Sequence, residues 1–360
     1  MCLSLITHNS RKQIPDCIFS QDDGKDIRSI SGFTYRGFMQ LQEYINRRLT
    51  DGSITTDIGM IISHLADAAI AITQTIRVSG IEEDLGAETG AANADGDEQK
   101  ALDVMAEEII ITHLKNTATS HILSEEQDAP IATGQDGKVM VAIDPLDGSS
   151  NIAVNVTVGT IFSLMPRQDA PVACAGRDQL AAGFFTYGPQ TTLILAFASD
   201  SAPQCFVLDE RNQQFIAMGG AVEIPPETNE YAINAAYSEH WFAPVQEWMG
   251  HVLAGHAGAY GKPYRMRWVG SMVADAWRIF QRGGVFLYPG DSRKGYADGR
   301  LRLVYEANPI SFLVEKAGGM AINGCEDILD LQPQSLHQRT PVILGAKQEI
   351  TRLKALHLNK

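Results

Sequence analysis

The 360-residue sequence lacks closely paired cysteines, long apolar runs and a net positive charge, three features that would each indicate a particular class of protein. Its five cysteines are scattered, and none forms a Cys-x-x-Cys pair, which favours free thiols in a reducing cytoplasm over disulfides or a zinc site. No stretch approaches roughly eighteen consecutive apolar residues, and residues 1–10 lack a basic region followed by an apolar run. The sequence therefore predicts a cytoplasmic protein with neither a membrane span nor a secretory signal.

The charge balance is acidic, with 29 Lys and Arg against 43 Asp and Glu and a net charge of −14. This charge argues against nucleic acid or an anionic membrane as a partner, and an anionic ligand would need cations placed locally. The hydrophobic content of 44% is ordinary for a globular protein, and the sequence contains no internal repeat. The length suggests two domains.

The most informative segment lies at residues 144–153, directly after a short apolar run, 139–143, that predicts a buried strand. Asp144 and Asp147 are three positions apart, and the small, donor-rich Gly148-Ser149-Ser150 follows. Carboxylates suit Mg²⁺, and backbone N–H groups with small hydroxyls suit phosphate. Taken alone, the segment would also fit an ordinary surface turn.

Further acids lie nearby in the sequence. Glu125 and Glu126 follow another predicted strand end, and Asp97 and Asp103 flank the start of a predicted helix, where Asp97 would also serve as a helix cap. Glu306 comes much later, at the predicted end of a strand over 301–305 and before a predicted helix over 310–317, and alone it would equally fit a solvated loop. Gathered carboxylates repel one another unless a divalent metal holds them together.

These motifs resemble class I fructose-1,6-bisphosphatases. The similarity rests on Asp-Pro-Leu-Asp-Gly-Ser-Ser-Asn-Ile at 144–152, the Glu-Glu pair at 125–126 and Gly-Asp-x5-Asp at 96–103, and it extends from about Thr55 to Leu344. Inositol monophosphatases, in the same lithium-sensitive superfamily, share the first two motifs. Their Trp-Asp-x-Ala-Ala-Gly segment is absent here, whereas Tyr-Glu-Ala-Asn-Pro at 305–309 and Val-Gly-Ser-Met-Val-Ala-Asp at 269–275 are similar to the bisphosphatases.

The resemblance implies an α/β fold, a layered α/β/α/β/α sandwich of the sugar phosphatase type. We expect an irregular N-terminal extension (1–30), an N-terminal domain with the metal site (31–205) and a C-terminal α/β domain with the sugar-phosphate pocket (206–360). The pattern also predicts helices over 58–78 and about 269–281, strands over 231–234 and 284–288, and a loop over 81–94.

The implied activity is Mg²⁺-dependent hydrolysis of the 1-phosphate of fructose 1,6-bisphosphate to fructose 6-phosphate, in gluconeogenesis or the Calvin cycle. Two to three Mg²⁺ ions, or Mn²⁺ in their place, are implied. The implied metal ligands are Glu125, Asp144, the carbonyl of Leu146, Asp147 and Glu306, with Asp97 at a third metal position. Asp103 and Glu126, together with Asp97, form the implied catalytic group that assists proton transfer from the attacking water.

The implied substrate site comprises Asp147, Gly148, Ser149, Ser150, Asn234, Tyr237, Arg267, Trp268, Tyr288 and Arg300. Two of these depart from the family pattern, since Trp268 replaces a usual Tyr and Arg300 replaces a usual Lys. The departures leave open a preference for sedoheptulose 1,7-bisphosphate or a dual specificity. An inactive metabolite-binding homologue is the alternative outside enzymes.

The resemblance also implies a homotetramer, because the residue matching Arg267 serves the neighbouring subunit's site in the family. Inhibition by AMP is expected to be weak. Val139 and Pro166 stand where regulated relatives have an aromatic residue and an Arg that contact the nucleotide.

Overall fold

The computed structural model describes residues 39–78, 88–92, 98–168 and 174–359, with side chains described outside 88–100. All of these residues belong to one compact unit. The predicted N-terminal extension lies outside the described residues. The division into domains at residues 205 and 206 stays a prediction.

The secondary structure of the described residues mixes helices and strands throughout the chain. The α-helices are α1 (Leu41–Thr50), α2 (Thr56–Val78), α3 (Ala101–Leu114), α4 (Ala243–Leu253), α5 (Met272–Arg282), α6 (Asn308–Lys316) and α7 (Lys347–Leu358). The β-strands are β1 (Glu88–Ala92), β2 (Glu98–Lys100), β3 (Thr119–Ser124), β4 (Ile131–Ala132), β5 (Val139–Asp147), β6 (Val158–Pro166), β7 (Ala181–Tyr187), β8 (Thr191–Phe197), β9 (Gln204–Asp209), β10 (Gln214–Ala217), β11 (Glu230–Ile233), β12 (Arg265–Met266), β13 (Val285–Tyr288), β14 (Leu301–Arg302), β15 (Met320–Ile322), β16 (Arg339–Thr340) and β17 (Val342–Gly345).

The first large sheet has eight strands in the order β10-β9-β8-β7-β6-β5-β3-β4. Its neighbours are antiparallel except for the parallel pair β3 and β5. Both faces are buried, because alternate residues of one strand enter different cores: Phe185 packs with α1, α2 and α3, whereas Phe184 packs with α5 and α6. Burial on both faces explains the continuous apolar runs of these strands.

The second sheet has five strands in the order β12-β11-β13-β17-β15. One face shares the core of α5 and α6 with the first sheet, and the other face packs on α4 and α7. The result is the predicted five-layer α/β/α/β/α arrangement.

Helix α2 contains the helix predicted over 58–78, and its isoleucines at 58, 61, 62 and 72 are buried. Among the described residues it is the one helix long and apolar enough to span a membrane by length and composition. However, 56% of its most apolar window is buried inside the protein, as in a core helix.

Two predicted elements are wrong in part. Residues 88–92 of the expected loop form β1, which pairs with β2, while 81–87 and 93–94 lie outside the described residues. The strand predicted over 301–305 is limited to β14, and a π-helix follows at Leu303–Ala307. The alternation of residues in this segment wrongly favoured a strand. Leu303, Val304 and Tyr305 are all buried, so no side of the segment faces solvent. Single π-helical turns occur often at functional sites.

Candidate active site

The two aspartates of the central motif lie in the last part of β5, which extends through Asp147 instead of ending at residue 143. The register of β5 against β6 shifts between Asp144, opposite Ile161, and Asp147, opposite Gly159. Such an irregularity adds residues to one strand and redirects its side chains. Both aspartates are thereby buried at one point of the sheet.

Glu306 joins them from the π-helix. Asp144, Asp147 and Glu306 each offer a carboxylate oxygen, these oxygens lie within 4.8 Å of one another, and all three residues are buried. Local hydrogen bonds fix each side chain: the Leu146 N–H donates to Asp144 at 3.0 Å, the Arg302 N–H donates to Glu306 at 2.5 Å, and two donors reach Asp147 Oδ2.

Burial next to other acids disfavours the ionised forms of this cluster. Desolvation raises the pKa of Asp147 to about 6, although hydrogen bonds from Val273 and Ser271 oppose the shift. Desolvation and the nearby charge of Asp147 raise the pKa of Glu306 to about 8. The pKa of Asp144 is also raised, first by desolvation and then by Glu125, Asp147 and Glu306.

The Glu-Glu pair lies beside this cluster and is held by charged and polar contacts. The Glu125 N–H donates to the Ile143 carbonyl at 3.1 Å, and its carboxylate lies 3.4 Å from Arg302 Nε. Gln127, which follows the pair, donates from Nε2 to Glu107 of α3 at 2.7 Å, and its carbonyl lies 3.1 Å from His337 Nε2. The segment 125–127 is therefore held between α3 and the C-terminal part of the chain.

One cleft of about 420 Å³ brings most of the predicted residues together. The predicted site residues that line it are Asp103, Glu125, Glu126, Asp144, Leu146, Asp147, Gly148, Ser149, Ser150, Trp268, Tyr288, Arg300 and Glu306. Asp97 lies outside the described residues.

Aromatic and basic residues also line the cleft. Trp268 stacks on Phe286 with centroids 5.8 Å apart and planes 12° apart, and Tyr288 lies at a tilt 6.0 Å from Trp268. Arg300 donates from Nη1 to the Tyr296 hydroxyl at 3.1 Å. The cleft is thus lined by buried carboxylates together with aromatic rings and a guanidinium.

Three predicted substrate residues do not line this cleft within the chain. Asn234 Oδ1 accepts from the Ala236 N–H at 3.1 Å and so stabilises the turn after β11. Tyr237 is 37% exposed and lies beneath the Arg293 guanidinium. Arg267 is exposed, and its Nη1 donates to the Met266 carbonyl at 3.0 Å.

Two residues that contact the acid cluster were not predicted from the sequence. Arg302 is buried beside Glu125, and Ser271 donates from Oγ to Asp147 Oδ2 at 2.9 Å. A basic residue within the apolar run 301–305 was the signal for Arg302, because a buried cation needs an acid. Ser271 carried no such signal, since serine before a helix normally indicates a cap.

Comparison with known proteins identifies the family. The profile described as the N-terminal domain of fructose-1-6-bisphosphatase matches residues 40–219, and the profile for the C-terminal domain matches residues 224–358. The chain belongs to the fructose-1,6-bisphosphatase family.

Relatives named class 1 fructose-1,6-bisphosphatase support this assignment. The chain is 47% identical to one from Azorhizobium caulinodans over 304 residues, covering 82% of this chain and 92% of the relative. It is 43% identical to one from Rhodopseudomonas palustris, covering 89% of this chain and 93% of the relative. The crystal structure of Leishmania major fructose-1,6-bisphosphatase in holo form is similar with a TM-score of 0.81 and 30% identity, covering 89% of this chain and 99% of that one.

Fructose-1,6-bisphosphatases are metal-dependent, and the cluster suits a hard divalent cation. Its donors are carboxylate oxygens, the ligands that Mg²⁺ and Mn²⁺ prefer. Arg302 and Arg339 oppose the raised pKa of Glu306 but do not cancel it. Bound cations would supply the missing positive charge and favour the ionised carboxylates.

Proposed function

We propose that this chain is a Mg²⁺-dependent fructose-1,6-bisphosphatase that converts fructose 1,6-bisphosphate and water to fructose 6-phosphate and inorganic phosphate. The observation that carries the proposal is the cleft itself, which is lined by the acids Asp144, Asp147 and Glu306 and by the basic Arg300. The reacting phosphate belongs at the acids, and the distal phosphate belongs at Arg300.

The implied metal ligands are Glu125, Asp144, the Leu146 carbonyl, Asp147 and Glu306, with Asp97 at a third position. Two to three Mg²⁺ ions, or Mn²⁺ in their place, would neutralise phosphoryl oxygens, lower the pKa of water and stabilise the leaving alkoxide.

The side chains then have separate tasks in the proposed reaction. A water oxygen attacks phosphorus, and its proton passes to the carboxylate pair Asp103 and Glu126, both of which line the cleft. The bond from phosphorus to the sugar O1 breaks, the electron pair stays on O1, and O1 gains a proton. Gly148, Ser149 and Ser150 offer donors to the phosphoryl oxygens.

The test is phosphate release from fructose 1,6-bisphosphate by purified protein. Activity should vanish when a chelator removes divalent metal and return with Mg²⁺. Asp147→Ala and Glu125→Ala should each reduce turnover by orders of magnitude. Asp136→Ala, which removes a 98% exposed carboxylate paired with Arg167, serves as the control. Near-normal turnover of either site variant would refute the metal assignment.

A preference for sedoheptulose 1,7-bisphosphate, or a dual specificity, is the second candidate. It is favoured by the Trp268 indole, which stacks on Phe286 and lines the cleft together with Arg300. The catalytic efficiencies for both bisphosphates, measured on one preparation, decide between them. Metal-dependent turnover of either would exclude an inactive homologue.

We further propose a homotetramer in the cytoplasm. The exposed Arg267 supports the assembly, because a cation that does not line its own cleft is available to a neighbouring one. Sedimentation that shows only the 39.2 kDa monomer with full activity would exclude it.

A further inference from the structure

Three side chains of the segment between β13 and β14 and one from the turn after β11 form a stack that ends at the cleft. We call them the rim stack: Tyr237, Arg293, Tyr296 and Arg300. The Arg293 guanidinium carbon lies 3.6 Å from the centroid of the Tyr237 ring and 4.1 Å from that of Tyr296. A planar guanidinium contacts ring faces favourably by electrostatics and dispersion.

Asp291 anchors the rim stack at its base. Its buried carboxylate accepts from Arg293 Nε at 3.0 Å and from Nη2 at 2.6 Å, and it also accepts from the Arg293 N–H at 2.9 Å. Backbone bonds close the same loop, since the Asp291 N–H donates to the Tyr296 carbonyl and the Tyr296 N–H donates to the Arg293 carbonyl, both at 3.1 Å. Paired contacts of this kind fix both position and orientation.

Tyr296, fixed in this way, restrains Arg300. The Tyr296 hydroxyl accepts from Arg300 Nη1 at 3.1 Å, and the Arg300 guanidinium carbon lies 5.0 Å from the Tyr296 centroid. An arginine side chain has many rotamers, and fixing it on a ligand costs entropy. Two contacts from one tyrosine reduce that freedom before any ligand arrives, which favours binding by preorganisation.

Arg300 is the member of the rim stack that lines the cleft with the acids. Because the protein carries a net charge of −14, a distal phosphate depends on such a local cation. The geometry points to Tyr296 as a positioning residue that holds Arg300 for the distal phosphate. Arg293 in turn holds Tyr296, and the same guanidinium also contacts the ring of Tyr237. This inference rests on the proposed function, which supplies the bisphosphate.

The test uses Tyr296→Phe, which removes the hydroxyl and keeps the ring. We expect the KM for fructose 1,6-bisphosphate to rise about three- to tenfold with kcat nearly unchanged, because one bond to a charged group is lost. The Kd of fructose 6-phosphate, measured by calorimetry, should rise by the same factor. Binding of this product does not depend on turnover.

Two further variants distinguish positioning from a general loss of structure. Tyr260 lies 4.8 Å from the Arg352 guanidinium carbon in a similar contact and does not line the cleft, so Tyr260→Phe should change neither constant. In an Arg300→Met background, adding Tyr296→Phe should have almost no further effect, since Tyr296 acts through Arg300.

An unchanged Kd for fructose 6-phosphate in Tyr296→Phe overturns the inference. The same holds for a lowered kcat with unchanged KM, and for an effect of equal size in the Arg300→Met background. Failure of the proposed function is recognised separately, because the unmodified protein would then not hydrolyse fructose 1,6-bisphosphate. The binding measurements would still decide the role of Tyr296.

Discussion

Ser271 Oγ donates a hydrogen bond of 2.9 Å to Asp147 Oδ2, across 124 positions of sequence. Ser271 is the N-cap residue of α5, yet its side chain makes no capping bond. The Val273 N–H, which a cap would satisfy, donates instead to the same Asp147 oxygen at 2.9 Å. One carboxylate therefore caps α5 and also belongs to the candidate metal cluster.

Ser271→Ala should weaken Mn²⁺ binding by about ten- to a hundredfold, the usual effect of removing a partner of a metal ligand. The hydroxyl orients Asp147, and its loss leaves the carboxylate with one fewer donor. Mn²⁺ titration followed by electron paramagnetic resonance measures the affinity directly. Ser63→Ala is the control, because that hydroxyl bonds only within or beside α2, to Gly59 and Gln42. Equal affinities in all three proteins would show that Ser271 does not orient the ligand.

Gly148→Ala should reduce both stability and activity. Gly148 has φ +79°, and an added Cβ would lie 2.7 Å from the Ser271 Cβ. Gly134 has nearly the same φ, +81°, with open space around it, so Gly134→Ala isolates the backbone cost of about 1–2 kcal/mol. Thermal unfolding and the kcat/KM of the two variants should separate the cost of backbone strain from the cost of the steric clash with Ser271. If Gly148→Ala behaves like Gly134→Ala, the contact with Ser271 tolerates displacement.

Metal-free protein should lose stability as the pH rises. Asp147 and Glu306 have folded-state pKa values raised to about 6 and about 8, so the folded form holds protons that the unfolded form releases earlier. An acid with a raised folded pKa stabilises the protein below its unfolded pKa, and this contribution disappears as the pH passes the folded value. The melting temperature without metal should therefore fall between about pH 5 and pH 8.

Added Mg²⁺ should reverse this trend, because it favours the ionised carboxylates. Its stabilising effect should be larger at the alkaline end, and calorimetry in buffers of different ionisation enthalpy should detect proton release on binding. A stabilisation by Mg²⁺ that does not depend on pH would contradict the assigned ligands. Asp147→Asn should reduce the number of protons released.

Patterns local in sequence placed Asp144 and Asp147 directly after an apolar run, and contacts between distant segments explain what these patterns missed. Asp144 and Asp147 follow one apolar run, so about ten residues were enough to place them next to a buried strand, although that strand extends through Asp147. The contact of Ser271 with Asp147 exists only because α5 packs between the two sheets. The π-helix that contains Glu306 was missed because Leu303, Val304 and Tyr305 are all buried, so the alternation in this segment does not indicate a strand.

AMP should inhibit weakly or not at all. Val139 and Pro166, the two positions that differ from regulated relatives, are paired directly opposite each other on β5 and β6. Val139 is buried with 3% exposure, and neither side chain can donate to a phosphate. Losing a stacking partner and a charge-assisted contact at one place should weaken AMP binding by roughly a hundredfold or more.

Titration of AMP at fixed substrate and Mg²⁺ measures this inhibition. The double variant Val139→Tyr with Pro166→Arg should bind AMP more tightly than the unmodified enzyme. Half-inhibition of the unmodified enzyme at low micromolar AMP would show that other residues have rebuilt the site.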